Sequence, residues 1–123
     1  MFLEVIKDVG IMAFKIKRNR IQLVRGDTLR TKLTIRDKAG NEYIPNSDDE
    51  VLFTVKRNAM TNKVLLQKKV VDGEVHLEPS DTENLEFGSY VYDVQIILAN
   101  GDQDTVIKPN IFELLPEVTD NEQ

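Results

Sequence analysis

Leu85-Glu86-Phe87-Gly88-Ser89-Tyr90-Val91-Tyr92-Asp93-Val94-Gln95-Ile96-Ile97-Leu98-Ala99-Asn100-Gly101-Asp102 reads as a corner, a long strand and a hairpin turn in one piece. Tyr90, Tyr92, Val94, Ile96 and Leu98 recur every second residue, so an extended chain puts them on one face and Val91, Asp93 and Gln95 on the other. One face is apolar and the other mixed, the pattern of a sheet that packs on a second sheet. Asn100-Gly101 supplies residues that tolerate the positive φ angles of a tight hairpin. The stretch predicts a β-sandwich and places no catalytic group.

Working towards the N-terminus, the same alternation returns. Val75 and Leu77 face inward after Asp72-Gly73, which is expected to close a hairpin between residues 64–71 and 74–78. Val51, Phe53 and Val55 form another inward set, with Thr54 and Lys56 opposite. Leu29, Leu33 and Ile35 alternate with Arg30, Lys32, Thr34 and Arg36, and Asp37-Lys38-Ala39-Gly40-Asn41 is a turn by composition. Gly26-Asp27 ends an extended piece over 21–24, which is read as continuing the edge strand begun by Phe14 and Ile16. Residues 42–45 are read as a short strand before the acidic loop Asn46-Ser47-Asp48-Asp49-Glu50. Ser80 and Glu83 stand at capping-box spacing, which predicts a single helical turn near 80–85. Pro109 cannot donate to a ladder, so the last strand, 105–115, is expected to lie at an edge or carry a bulge.

These elements give an all-β, immunoglobulin-like antiparallel sandwich of about seven to eight strands over residues 13–115, flanked by an arm at 1–12 and a polar tail at 116–123. At 123 residues the chain is one domain able to withdraw about two thirds of its unfolded surface from water. It contains no cysteine, which excludes disulfides and thiolate metal sites and fits a reducing compartment. Glu4, Lys7 and Asp8 interrupt the apolar start, so it is neither a signal peptide nor a membrane span. Phe2, Ile6 and Val9 would share a helical face, which suits a docking arm; the alternatives are a disordered start, or translation from Met12.

The net charge is −5, but residues 1–40 carry ten Lys/Arg against four Asp/Glu, and the remainder six against seventeen. Such polarity either steers head-to-tail packing with another subunit or pairs oppositely charged strands within one sheet. Acidity overall argues against a general nucleic-acid binder.

The chemically suggestive groups have structural readings beside them. Glu74, His76 and Glu78 share one strand face, yet residues two apart lie about 7 Å apart, too far for three to hold one ion easily. Ser47, Ser80 and Ser89 sit where turns and caps want them, and His76 is the one histidine available as a base. Asp48, Asp49, Asp102 and Asp104 come with no burial pattern that would separate their pKa values. Gly101-Asp102-Gln103-Asp104 lacks a full calcium-loop spacing. Arg25-Gly26-Asp27 spells an adhesion tripeptide and also reads as a turn between strands. Arg30, Lys32 and Arg36 make a basic strip without interleaved aromatics. Sugar binding on a sandwich uses exposed aromatics, and Tyr43 is the one tyrosine outside the core strand.

Taken together, Val24-Arg25-Gly26-Asp27-Thr28-Leu29, Leu33-Thr34-Ile35 with Asp37 and Gly40, Val51-Leu52-Phe53-Thr54-Val55-Lys56, and Gly88-Ser89-Tyr90-Val91-Tyr92-Asp93-Val94 with Asn100-Gly101 resemble a known group. They are similar to the immunoglobulin-like domains of tailed-phage and prophage structural proteins, notably the N-terminal domain of baseplate upper proteins, over about residues 21–115. Leu85, Gly88 and Tyr90 resemble the tyrosine corner of such sandwiches, with Tyr92 the second choice for the phenol. The resemblance implies a noncatalytic virion component of the tail or baseplate, assembled in the bacterial cytoplasm. Its implied partners are other tail or baseplate proteins and further copies of itself, with no cofactor, metal, nucleic acid or membrane. Gly26, Asp27, Gly73, Gly88, Tyr90 and Gly101 are then structural residues. The chain stops near Gln123 without a fibre extension, so an accessory or connector protein is expected rather than a complete baseplate arm. A sugar- or surface-binding sandwich is the alternative.

Overall fold

Strand alternation dominates the computed structural model, which describes residues 2–8, 14–37 and 39–117. The described chain forms β1 (Phe2–Asp8), β2 (Phe14–Lys17), β3 (Arg20–Val24), β4 (Leu29–Asp37), β5 (Glu42–Tyr43), β6 (Glu50–Lys56), β7 (Val64–Lys69), β8 (Glu74–Leu77), α1 (Pro79–Thr82), β9 (Gly88–Ile97) and β10 (Gln103–Leu115). One sheet runs β2-β3-β10-β9-β6-β7; in the other, β4 pairs with β1 on one side and with β5 and β8 on the other. The described residues form an all-β sandwich of two sheets with one short helical turn.

The predicted inward faces meet between the sheets. Val51, Phe53 and Val55, Leu29, Leu33 and Ile35, Val75 and Leu77, and Tyr90, Tyr92, Val94 and Ile96 are all buried. Phe53 stacks on Tyr92 at 5.0 Å between centroids, and Phe112 meets both rings edge-on at 6.1 and 6.5 Å. Each fully buried large side chain contributes about 1.5–3 kcal/mol, so this triad anchors the interior. Leu98 lies past the end of β9 and is only partly buried.

Several connections differ from the sequence expectation. Residues 14–17 and 20–24 are not one edge strand but a hairpin, β2 against β3. Arg18 and Asn19 both take positive φ, 51° and 66°, without a glycine to mark the turn. Asp72 and Gly73 do form a tight turn, with φ 54° and 72° and Glu74 N donating to Val71 O at 3.0 Å. It does not close a two-strand hairpin, however, because β7 belongs to the six-stranded sheet and β8 to the other. The turn carries the chain across the sandwich, pinned by Val70 N to Val51 O on one sheet and Leu33 N to Gly73 O on the other.

The Asn100-Gly101 turn also differs in detail. Gly101 has φ 94° and Asn100 is not in the positive region. Gly101 N donates to Leu98 O and Leu98 N to Asp102 O, which makes a three-residue loop ending in a left-handed glycine. The helical turn begins at Pro79, one residue before Ser80, and proline's fixed φ suits the first helical position. Glu78 is therefore the N-cap, its N–H donating to Asp81 Oδ2 at 2.7 Å, in place of the Ser80–Glu83 pair.

The sandwich is not wholly antiparallel. β3 pairs parallel with the last strand, Ile21 opposite Phe112 through Val24 opposite Leu115, because the whole sandwich intervenes as the crossover between them. β10 carries register shifts at Thr105/Ile107 and Ile107/Asn110, which leave Val106 and Ile107 both buried and place Pro109 within the irregular stretch. The spacing of Phe2, Ile6 and Val9 suggests a helical arm; residues 2–8 instead pair antiparallel with residues 31–37 as strand β1. Val9 and residues 10–13 lie outside the described residues, as do Lys38 and the tail beyond Glu117.

Candidate functional site

Where β5 stops after two residues, Ile44 and Pro45 leave the sheet and the acidic loop begins. Asn46 and Asp49 fold this loop on itself. Asp49 N donates to Asn46 O, Asn46 N to Asp49 Oδ2 at 3.1 Å, and Asp48 N to Asn46 Oδ1 at 2.9 Å. The Asp49 carboxylate reaches further. Its Oδ2 accepts the Tyr43 hydroxyl and its Oδ1 accepts Ala99 N at 3.2 Å, which ties the loop to the β9–β10 turn.

Opposite this loop runs the crossing segment Val70–Gly73. Between the two walls lies an open groove of about 1070 Å³. Its lining includes Glu42, Asp48, Asp49, Glu50 and Asp72 against Lys32 and Lys69, so it is acidic. Lys69 is already bridged to Glu50 at 3.1 Å, which leaves the acidic excess unchanged. Ile44 on one wall is 71% exposed and Val71 on the other 63%, an apolar pair on an acidic groove.

Two titratable groups here are coupled through one hydrogen bond. The hydrogen bond to Asp49 and burial raise the Tyr43 phenol above its ordinary value, so it stays protonated. The same bond, with the Asn46 and Ala99 amides, holds the Asp49 carboxyl below the usual carboxylate range, so it stays ionised. Neither group changes charge near neutrality. Elsewhere, burial raises the half-buried Asp93, an effect Lys56 partly offsets, and a hydrogen bond from Gln22 holds Glu113 low.

The other residues singled out in the sequence are occupied in the framework. Tyr90 Oη donates to Glu86 O at 2.7 Å and the Arg57 guanidinium lies 4.9 Å from its ring centroid; Gly88, at φ 133°, sits beneath the same arginine. Tyr92 Oη donates instead to Asn19 O, fastening the β2–β3 turn over the core. Arg25 bridges Glu117 at 2.8 Å, donates to Leu85 O and stacks 4.1 Å over Phe87. Gly26 N donates to the buried Thr82 hydroxyl and Asp27 N to Val24 O, so Arg25-Gly26-Asp27 is a tied turn.

Glu74 pairs with Arg30 at 3.1 Å, and His76 stands opposite Arg30 in the strand register. Among the described residues no group of three His, Asp or Glu side chains is placed to hold a metal ion. Ser47 lies in the acidic loop, Ser80 in α1 and Ser89 in β9, each on a different element from His76. Asp102 and Asp104 accept bonds from Asn100 and from Thr105 N. Arg36 donates to Gly40 O, so the basic strip is divided among an ion pair, a turn and the groove lining. Arg20–Glu113 and Arg30–Glu74 show that part of the charge polarity along the chain is spent on cross-strand pairs.

Sequence reading missed the groove itself. The Asn46–Asp49 spacing signals a side-chain-capped turn, but nothing local indicates that Asp49 would meet Ala99, fifty residues away. No helix among the described residues is long and apolar enough to cross a membrane. No protein-family model matches this chain, and no curated protein matches it.

Proposed function

We propose that this protein is a noncatalytic structural or accessory module of a tailed-phage or prophage virion, placed in the tail or baseplate by protein–protein contacts. The observation that carries the reading is the division of labour among its polar groups. Arg25, Asp49, Tyr90, Tyr92 and Glu74 act as internal fasteners, while the acidic groove and the sheet edges are left to meet other surfaces. The resemblance of the Gly88–Val94 strand, the Val51–Lys56 strand and the Gly26-Asp27 turn to virion sandwiches supplies the biological setting, and assembly would then occur in the bacterial cytoplasm.

The test is to induce tail particles in the bacterium that carries the gene, purify them by sedimentation and probe for this chain. Stoichiometric presence in the particles is expected. Absence from them, together with saturable binding of a glycan by the isolated monomer, would overturn the reading in favour of a sugar-binding sandwich.

A further inference from the structure

We infer that copies of this chain associate head to tail, the basic β2–β3 hairpin of one seated in the acidic groove of the next; this deepens the structural-module reading and rests on it. Two features of opposite charge motivate the pairing. Residues 9–26 contain five Lys/Arg and no Asp/Glu, and Arg18 and Arg20 stand exposed at the hairpin turn, Arg20 also reaching Glu113 of its own chain at 3.4 Å. The groove is lined by Glu42, Asp48 and Asp72 in excess of its lysines.

Position makes the match productive. β2 is one edge of the six-stranded sheet and β7, beside the groove, is the other. At about 4.8 Å per strand the two edges lie on the order of 24 Å apart, so one copy cannot satisfy itself. Oppositely charged patches on opposite sides of one molecule make a heterologous contact, which closes into a ring or continues as a filament. Arginine suits the groove in a second way. Its aliphatic stem covers exposed Ile44 and Val71 while the guanidinium reaches the carboxylates.

Sedimentation velocity of the full chain tests this with two charge-reversed variants. One carries Arg18→Glu and Arg20→Glu; the other carries Glu42→Lys and Asp48→Lys, both exposed positions. Circular dichroism first confirms that each folds. The wild type is expected to associate in about 50 mM salt and to weaken at least about tenfold in about 500 mM. Each variant alone is expected to be monomeric, and an equimolar mixture is expected to associate again, because each then offers what the other lacks. A wild type that stays monomeric at low salt, variants that associate as the wild type does, or a mixture that stays monomeric would each overturn the inference. So would a monomer whose groove takes up a lysine-rich peptide instead of a second copy. A monomeric chain still found in tail particles would sink the head-to-tail contact alone; self-association with absence from particles would sink the virion setting alone.

Discussion

Replacing Tyr90 by phenylalanine isolates one hydrogen bond in the corner that launches the longest run of core residues. The Tyr90 ring is buried, 3% exposed, and phenylalanine preserves its volume, its packing and the arginine stacked on its face. What is removed is the 2.7 Å bond from the phenol to Glu86 O. Glu86 itself is exposed, so its carbonyl can recover water, and the loss should stay near the net worth of a single hydrogen bond, about 1–1.5 kcal/mol. For a domain of this size that corresponds to a fall of roughly 3–6 °C in Tm. Urea unfolding followed by circular dichroism gives the free energy, and the slope with denaturant should not change, since the surface exposed on unfolding is the same. Hydrogen exchange should show the loss concentrated at residues 86–90. A change below about 0.3 kcal/mol would mean that the phenol and carbonyl are not partners in solution. A change above about 3 kcal/mol would mean that the hydroxyl serves a network rather than one bond.

Other perturbations probe the groove and the crossing. Asp49→Asn should flatten the acid limb of the stability curve. A carboxyl held low when folded contributes stability above its unfolded pKa and loses it as pH falls through the folded value, so acid titration of both forms should converge below that range. Unchanged acid sensitivity would show that the Tyr43–Asp49–Ala99 tie is not made. Gly73→Ala should cost about 1–2 kcal/mol in chemical denaturation, because φ is 72° there. Open space does not rescue it: an added Cβ would sit at ordinary contact distance, 3.5 Å, from Leu33 O, so the penalty is in the backbone. A neutral or stabilising effect would refute the left-handed turn at the crossing.

How much of this molecule is legible locally can be read from particular residues. Alternation along 29–35, 51–55 and 90–96 depends only on the two-residue period of a strand, so the buried faces follow from the order of side chains alone. Gly101 and Gly73 mark turns because few other residues accept those φ angles cheaply. Arg18-Asn19 takes the same geometry without a glycine to mark it, at a cost that falls mainly on Arg18, and Tyr92 anchors Asn19 O from the core. That bond joins positions 73 residues apart, beyond any local window.

Sequence by itself determined that this chain makes strands, which side chains those strands bury, and where most of its turns fall. Tertiary structure decided which strands become neighbours: β3 beside β10 in parallel, β7 and β8 in different sheets, and the acidic loop across from the crossing segment. The physical reason is range. Side-chain period and turn conformation are settled within a few residues, whereas pairing order is settled by closing one shared core, and the groove exists only where two sheet edges fail to meet.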